Sequence, residues 1–439
     1  MTRLNPTTRR RLLALSSAGA VAPLLAACGG GAQQAQPAAP ASRAVKITWW
    51  SNLGDQHPES KTRVQVIQQF NAASAPVEVV PEAFGADLTK IKTAIAGDTS
   101  PDTYFIAWRE GAEVFLTGAV ADIDAELKND KDWGEQRKDF VPLMLDTSSW
   151  KGKLVSVPIY TNNTLTLWNT DLLQRSGLAE PKTGWTWEDF KELARRAGRP
   201  PDQWGYELWA DSSAFFSWYG TAGGRLFDAS GQKVTINTPE AKETGQLMLD
   251  LTRLGINPPQ RISTSRSQLF INGGAVMEDT GPFRLANIRD GNVNFGVVSR
   301  PVHPQKKTRR AQQGGHNLVV ARNKDADKLR AGLALAKYMS KGATQAQICA
   351  ILGTAIPVSR SALQAKELLD YGRQDPQWKI FADEAPYGDR APTSPSVVKM
   401  LAALDKAVND FMTQTVSVSV ALDEAQREMQ QLLDADLTQ

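Results

Sequence analysis

The sequence has only two cysteines, Cys28 and Cys349, and three histidines among its 439 residues. Cys28 ends an apolar leader, so no cysteine pair remains for a disulfide within the domain. His57, His303 and His316 are scattered and lack the spacing of a zinc site. We therefore expect no metal and no cofactor, and a fold held together by its hydrophobic core.

Motifs of common exported enzymes are also missing. The chain has no G-x-S-x-G elbow, no H-E-x-x-H pair and no phosphate-binding G-x-x-x-x-G-K-[ST] loop. Acid pairs such as Asp122 and Asp124 are typical of solvated charges or helix caps. Two acids far apart in sequence could still meet as the catalytic pair of a glycosidase. We expect a protein that is not an enzyme, with a secreted polysaccharide-degrading enzyme as the alternative from another class.

Neither sign of charge predominates, with 50 lysines and arginines against 47 aspartates and glutamates. The formal net charge is +3, and Arg3, Arg9, Arg10 and Arg11 in the leader have no acid beside them. The rest of the chain therefore carries −1 (+3 minus +4), with both signs mixed along the sequence. This composition excludes the basic patch of a nucleic-acid-binding protein and a polybasic membrane patch.

The leader itself predicts export. Arginines 9–11 precede an apolar stretch, 12–27, that is too short to span a bilayer and ends in small residues. Residues 8–13 (TRRRLL) resemble a twin-arginine signal, and a basic leader for the ordinary export channel is the alternative. Residues 25–28 (LAAC) resemble a bacterial lipobox, which implies lipid on Cys28 and anchoring to the outside of the cell membrane.

The pattern after the leader predicts an α/β fold. Residues 1–27 are the expected signal peptide and 28–43 a flexible lipidated tether. Strands are predicted at 45–50, 77–80 and 103–107, with a helix between each pair; the second helix begins after Asp87 and stops at Gly97. Strand-helix-strand units of this kind indicate a parallel sheet covered on both faces.

Later segments continue the alternation. Thr186 and Asp189 predict a capping box, and Thr238 with Pro239 opens a helix that ends near residue 254. Buried strands are predicted at 295–298 and 318–321. The remainder from residue 326 is mostly helical, with an extended break at 354–358.

Tryptophan is the residue type in excess, with twelve copies against seven tyrosines. Several stand beside polar residues, which suits a sugar ring that stacks on an aromatic face while its hydroxyls take hydrogen bonds. Packing in the core is the plainer role for any single tryptophan. Trp49 alternates with Ile47 and is expected in the core, so Trp50 faces the other way.

From about residue 45 to its end the chain resembles the extracellular solute-binding proteins of ABC importers, in the carbohydrate-binding branch. The blocks that carry this resemblance are 45–50 (VKITWW), 96–102 (AGDTSPD), 155–160 (VSVPIY), 166–173 (TLWNTDLL), 184–190 (GWTWEDF), 223–224 (GG) with 227–228 (FD), 270–277 (FINGGAVM) and 281–283 (GPF).

The resemblance implies a two-lobed periplasmic-binding-protein fold with a ligand cleft. Lobe one would be 44–160 plus 299–354, and lobe two would be 161–298 plus 355–439. The chain would cross between them near 160–163, 298–301 and 355–358. The implied partners are a small solute, most simply a saccharide, and the membrane-spanning permease subunits of an importer, with the protein itself a monomer and no nucleic acid involved.

The resemblance also implies which residues line the cleft. Those residues are Trp50, Asp55, Glu82, Phe84, Trp108, Arg109, Asn162, Trp209, Asp211, Trp218, Phe283, Arg284, Gly315, His316, Tyr387 and Arg390. Many relatives carry Trp where this chain has Phe283, which keeps a stacking face and removes an N–H donor. The alternative ligand is a charged solute, such as a glycerol phosphate, a polyamine or an iron complex. Its cationic partners would be Arg109, Arg284, Arg390 and His316.

Overall fold

The computed structural model describes residues 44–74, 76–259, 265–390 and 393–438. The predicted signal peptide, lipobox and tether lie outside these residues. The strands are β1 Val45–Trp50, β2 Val77–Ala83, β3 Thr103–Ala107, β4 Ser149–Trp150, β5 Lys153–Leu154, β6 Val157–Asn163, β7 Leu165–Asn169, β8 Trp204–Glu207, β9 Ala275–Thr280, β10 Phe295–Val298, β11 Ala311–Val320, β12 Ile356–Pro357 and β13 Gly388–Asp389.

Helices separate most of the strands. They are α1 Pro58–Ala73, α2 Leu88–Ala96, α3 Gly111–Phe115, α4 Ile123–Glu126, α5 Lys131–Asp139, α6 Pro142–Asp146, α7 Thr170–Arg175, α8 Trp187–Ala197, α9 Ser212–Thr221, α10 Pro239–Arg253, α11 Gln268–Ile271, α12 Leu285–Asp290, α13 Ala326–Ser340, α14 Gly342–Leu352, α15 Arg360–Leu363, α16 Lys366–Gln374, α17 Pro376–Glu384, α18 Val397–Met412 and α19 Val418–Thr438. Short 3-10 turns occupy Trp108–Glu110, Pro282–Arg284 and Ala385–Tyr387.

Local signals account for where several helices begin. The Asp87 carboxylate accepts a hydrogen bond from the amide of Lys90, 2.8 Å away, and α2 ends at Gly97. Thr186 and Asp189 form the predicted capping box at the start of α8. Because these caps satisfy backbone amides that have no partner inside the helix, they locate the helix ends. These predictions are confirmed.

Two sheets form the framework. The larger has the order β12-β6-β11-β3-β1-β2, with β13 beside β11, and the smaller has the order β10-β7-β9-β8. β1 runs parallel to β2 and β3, as predicted, but β11 runs antiparallel to both β3 and β6. The larger sheet is therefore mixed rather than parallel, because β11 enters it from the opposite end after an excursion through the smaller sheet.

Two strand boundaries differ from the prediction. β11 begins at Ala311, seven residues before the predicted 318. The sequence did not indicate this first part as a strand because it is polar and contains two glycines. β2 runs on through Pro81 to Ala83. Proline is tolerated there since β2 is an edge strand of the larger sheet.

The chain passes between the sheets near two of the predicted crossings, 160–163 and 298–301, and the third, near 355–358, stays a prediction. β6 of the larger sheet is followed directly by β7 of the smaller one, and β10 of the smaller sheet is followed by β11 of the larger. After β12 the chain reaches α18 and α19, which share a buried apolar cluster with α8, α9 and α10. The exact boundaries of the lobes stay a prediction.

Both sheets have buried apolar cores. Trp49 is fully buried with Ile47 and Phe105 around the larger sheet, so the prediction for Trp49 is confirmed. Cys349 is buried in α14, and burial raises the pKa of its thiol. Within the part of the chain that the structure describes, no helix combines the length and apolar character that a membrane span requires.

Candidate functional site

The ends of β3, β6 and β11 bring several predicted site residues together. His316 on β11 stands between Ala107 at the end of β3 and Tyr160 on β6. Asn162 pairs with Gly314, the second residue before His316 along β11. Since Trp108 directly follows Ala107, four predicted residues, Trp108, Asn162, Gly315 and His316, meet at one point in the sheet.

The backbone conformation at position 315 requires a glycine. Its φ is +130°, in a region that L-residues rarely adopt. A Cβ added there would also lie 2.9 Å from Nη2 of Arg390 and 2.9 Å from the Cα of Thr161. Gly315 therefore lets β6 and Arg390 approach β11 closely.

The guanidinium of Arg390 is almost fully enclosed, with 3% of the residue exposed. Its Nη1 donates to Oγ1 of Thr147 at 3.2 Å, and its Nη2 donates to Oγ1 of Thr161 at 3.0 Å and to the carbonyl oxygen of Gly314. Burial lowers the pKa of Arg390 to about 9. These contacts hold Arg390 against the crossing strands, and its guanidinium carbon lies 5.4 Å from the centre of the Trp108 ring.

His316 faces a buried polar cluster. The side-chain amide nitrogen of Asn52 lies 3.1 Å from Nδ1 of His316, and Nε2 lies 3.6 Å from a carboxylate oxygen of Glu59. With Asn52 as the donor, Nδ1 accepts and the proton of the neutral ring sits on Nε2. Burial, together with the nearby Arg63, lowers the pKa of His316 to about 3. The imidazole is therefore neutral near pH 7.

Sequence reasoning missed the rest of this cluster. Arg63 is fully buried, 3.2 Å from a carboxylate oxygen of Glu59, and its guanidinium carbon lies 4.1 Å from the centre of the Phe105 ring. The Tyr160 hydroxyl donates to Glu59 at 2.6 Å and accepts from Nε of Arg63 at 3.0 Å. In the sequence, Glu59 and Arg63 have the spacing of an ordinary surface pair on a helix, so nothing local signals their burial.

The predicted residues after β1 and β2 lie at the edge of the larger sheet. Trp50 is half-buried beside Ala83, and the Lys90 ammonium lies 5.4 Å from the centre of its ring. Phe84 packs edge-on against Trp49 at 5.9 Å. Asp55 and Glu82 are exposed, and no described residue forms a salt bridge with either. The aromatic and acidic side chains are therefore accessible from solvent.

Trp108 and Arg109 lie in the 3-10 turn after β3. Trp108 is buried and belongs to the same apolar cluster as Val397 and Met400 of α18, whereas Arg109 is half-buried. Next to this contact, a cavity of 420 Å³ lies between α2, α3 and α18, lined by residues that include Lys92, Glu113 and Lys399. Trp108 thus joins the end of β3 to the helices that cover the smaller sheet.

The smaller sheet supplies Trp209 and Asp211. Nε1 of Trp209 donates to a carboxylate oxygen of Glu207 at 3.1 Å, and the guanidinium carbon of Arg266 lies 5.2 Å from the Trp209 ring centre. Asp211 caps α9 by accepting from the amide of Ala214 at 2.9 Å, and it also pairs with Arg266. Arg266 therefore links the two predicted residues, although the sequence alone did not single it out.

Phe283 and Arg284 follow β9 in a 3-10 turn. Phe283 is one of the exposed large apolar residues, at 37% exposure, and Arg284 is half-buried. Nε of Arg284 is buried without a hydrogen-bond partner among the described residues. An exposed ring beside an unsatisfied donor is the combination that a polyhydroxyl ligand can use.

Below this turn two carboxylates face each other across β8 and β9. Glu207 pairs in register with Glu278, and both are buried. Burial, followed by the nearby Glu207, raises the pKa of Glu278 to about 8. Glu278 is therefore mostly protonated at neutral pH and can act as a hydrogen-bond donor.

Trp218 lies in the core rather than on a surface. Its exposure is 0%, and its ring packs against Trp187, Phe190 and Tyr206 at centroid distances of 5.1 to 6.2 Å. The guanidinium carbon of Arg300 covers it at 4.5 Å. With no exposed face, Trp218 is not retained in the binding set that we propose below.

Tyr387 lies on a different face of the crossing strands. It is 39% exposed and lines a cavity of 520 Å³ together with Thr161 and Gln313. Alternate residues of a strand point to opposite faces, so Thr161 points away from the face used by its neighbours Tyr160 and Asn162. Tyr387 therefore lies on the face of β6 opposite to Tyr160 and Asn162.

A metal centre has no support in the described residues. They contain no group of three or more histidine, cysteine, aspartate or glutamate side chains that could hold an ion. Glu278 and His316, whose pKa values are strongly shifted, lie in separate polar clusters, one on each sheet.

Three relatives place the chain among known proteins. The sn-glycerol-3-phosphate-binding periplasmic protein of Brucella melitensis is 21% identical over 76% of this chain and 79% of its own length. The maltotriose-binding protein of Pyrococcus abyssi is 21% identical over 84% of this chain and 77% of its own length. The crystal structure of the cyclic alpha-maltosyl-1,6-maltose binding protein of Arthrobacter globiformis has a TM-score of 0.78 at 20% identity, covering 89% of this chain and 100% of that one.

These structural likenesses confirm the two-lobed α/β fold with an inter-lobe cleft, and the relatives named above are solute-binding proteins. The family model for bacterial extracellular solute-binding proteins matches residues 65–379, which is most of the chain. The chain belongs to the family of bacterial extracellular solute-binding proteins, and it acts outside the cytoplasm.

Proposed function

We propose that the protein captures a neutral sugar or oligosaccharide in the cleft between its two sheets and delivers it to the permease of an ABC importer. The proposed contacts from the larger sheet are Trp50, Asp55, Glu82, Phe84, Trp108, Arg109, Asn162, Gly315 and His316. Those from the smaller sheet are Trp209, Asp211, Phe283 and Arg284. Names of relatives support a saccharide, since one binds maltotriose and another a cyclic maltosyl-maltose.

The observation that carries the neutral ligand is the state of the cations. A phosphate needs several free, convergent positive charges. Of the four cations considered for a charged solute, His316 is neutral at pH 7 and Arg390 already donates to Thr147, Thr161 and Gly314. Arg109 and Arg284 are the two that remain, which favours hydroxyl recognition over phosphate recognition.

A glycerol phosphate remains the second candidate because several relatives are named for binding it. Titration calorimetry with maltotriose and with glycerol 3-phosphate, each at low and high salt, separates the two. Maltotriose binding that changes little with salt supports the sugar, since enclosed hydrogen bonds are weakly screened. Tighter binding of glycerol 3-phosphate that weakens steeply with salt contradicts it.

The leader adds a proposal about attachment. We infer that Cys28 carries lipid and holds the protein at the outer face of the membrane, with export through either the twin-arginine or the general route. Mass spectrometry of the native protein should find an acylated N-terminal cysteine at position 28. An unmodified Cys28 would contradict the anchor and leave the cleft proposal untouched.

Further parts of the proposal concern what the protein does not do. We infer that it is a monomer and that it performs no catalysis on the bound sugar. The carboxylates buried near the site, Glu207 and Glu278, lie side by side on β8 and β9 beneath the surface turn. Incubation with maltotriose followed by product analysis should recover the sugar intact; cleavage would favour the secreted-enzyme alternative.

A further inference from the structure

The 520 Å³ cavity behind the crossing strands, here called the rear cavity, is distinct from the proposed sugar cleft. Thr161 of β6 and Gln313 of β11 form its floor, and Pro357 of β12 lies beside them. These residues occupy three neighbouring strands of the larger sheet. Asn162, on the same strand as Thr161, points to the opposite face, toward the proposed cleft.

One side of the rear cavity is cationic. Arg225, Arg309 and Arg310 all line it. Arg309 is paired with Glu384, and Arg310 lies 3.3 Å from Asp389. Arg225 is exposed and forms no salt bridge with any acid of the described residues. Asp389 interacts with both Arg310 and Arg225, so the three arginines face two acids and one positive charge is in excess.

The remaining walls are apolar. Leu143 and Met144 of α6, Val358 and Leu363 cover one side, and Pro386 lies near the exposed ring of Tyr387. A purely inorganic ion would leave these side chains without a partner. An apolar chain in the cavity would remove part of their surface from water.

An unsatisfied polar atom lies on the floor. Gln313 is 1% exposed, and its Nε2 donates to the carbonyl oxygen of Ala385 at 2.9 Å. Its Oε1 has no hydrogen-bond partner among the described residues. A donor on a guest, such as the P–OH group of a singly ionised phosphate monoester, would satisfy this acceptor.

We propose that the rear cavity binds a small organic anion with a short apolar body. A carboxylate or a phosphate monoester would pair with the Arg225 guanidinium, whose fork of N–H donors matches both groups. The apolar body would lie against Leu143, Met144 and Val358. This ligand is chemically unlike a neutral sugar, so the rear cavity is a second site and not part of the proposed cleft.

Calorimetric titration of the full-length protein with hexanoate, hexyl phosphate, inorganic phosphate and hexanol tests the site. We expect saturable binding of hexanoate or hexyl phosphate with a Kd of about 1 mM or tighter. Hexanoate and hexyl phosphate distinguish the two head groups. Inorganic phosphate lacks the apolar body and hexanol lacks the charge, so both should bind at least about tenfold more weakly.

Two matched arginine variants locate the binding. Arg225→Gln should weaken the tighter anion at least about tenfold, whereas Arg322→Gln, at another exposed arginine, should not change it. Arg225→Lys keeps the charge without the fork and should fall between. Both positions are exposed, so thermal melting should show each variant folded.

Phe283→Ala separates this site from the sugar site. It should leave anion binding unchanged, because Phe283 belongs to the proposed cleft. The proposal is overturned by absence of saturable binding for both anions at 10 times that Kd, or about 10 mM. Equal affinity of Arg225→Gln and the unchanged protein, or loss of anion binding in Phe283→Ala, also overturns it.

Discussion

The ring of His316 on β11 lies 5.6 Å from the ring of Tyr160 on β6, centre to centre. β6 leads the chain toward the smaller sheet and β11 brings it back, and Tyr160 joins the buried pair Glu59 and Arg63 through its hydroxyl. This contact ties the crossing strands to the start of α1. Residues that the sequence would place on a helix surface thus fix the floor of the proposed cleft.

Removing the Tyr160 hydroxyl should destabilise the protein. Tyr160→Phe leaves the buried Glu59 short of one hydrogen bond and the buried Arg63 short of two, which should lower the free energy of unfolding by about 1–3 kcal/mol. Urea unfolding measures the change. Tyr338→Phe is the matched control, because Tyr338 is half-buried on α13 and its hydroxyl has no hydrogen bond to a described residue. Equal losses in the two variants would contradict the role given to Tyr160.

His316 should make stability depend on acid pH. Its pKa is about 3 in the folded chain and about 6.5 when unfolded, so the unfolded chain binds the extra proton between these values. Stability is therefore complete above pH 6.5 and falls as the pH drops, by roughly 2 kcal/mol at pH 5. Urea unfolding from pH 7 to pH 5 should show a shallower loss for His316→Gln than for the unchanged protein. Parallel curves would rule out the buried neutral imidazole.

Glu278 should act in the opposite direction. Its pKa is raised to about 8, so the folded chain keeps a proton that the unfolded chain loses above its ordinary value of 4.5. This contribution is present below pH 4.5 and is lost as the pH rises toward 8. Glu278→Gln removes the cost and should stabilise the protein by about 4 kcal/mol at pH 8, with little effect near pH 4.5.

Unfolding in urea at those two pH values measures the Glu278 effect. Glu192→Gln serves as the control, because Glu192 lies exposed on α8 beside Arg195. A gain at pH 8 that is no larger than at pH 4.5 would show that Glu278 is ionised in the folded protein.

Phe283 and Trp218 should respond differently to truncation. Phe283→Ala should weaken sugar binding by more than about 2 kcal/mol, as for an aromatic anchor that the bound ligand buries. The melting temperature without sugar should stay nearly unchanged, because Phe283 is exposed. Trp218→Ala creates a cavity in the core and should lower the free energy of unfolding by about 3–5 kcal/mol. Calorimetry and urea unfolding on both variants test the assignment; a Phe283 variant that binds maltotriose normally would remove Phe283 from the cleft.

The two-lobed fold predicts closure around the ligand. A sugar that contacts both sheets binds the closed form better and should shift the population toward it. The radius of gyration from solution scattering should then decrease on saturation with maltotriose. An unchanged scattering curve with saturating, calorimetrically verified sugar would indicate a site that does not close.

The sequence by itself determined the features that depend on near neighbours. The caps at Asp87 and Thr186 act over three residues, and the alternation of β1 assigns Trp49 to the core, so these were predicted correctly. The ordered blocks of the family also predicted the two-lobed fold. Each of these signals is complete within one short segment or within the order of several segments.

Only the tertiary structure decided which polar residues are buried together. Asn52 and His316 are 264 residues apart in the chain and come within 3.1 Å because β11 inserts between β3 and β6. Tyr387 lies on the face of β6 opposite to Asn162. Burial, pKa and the face on which a side chain lies depend on such distant neighbours, and no local pattern encodes them. For this reason the sequence did not predict that Glu59 and Arg63 are buried, and it placed Trp218 in the cleft although Trp218 lies in the core.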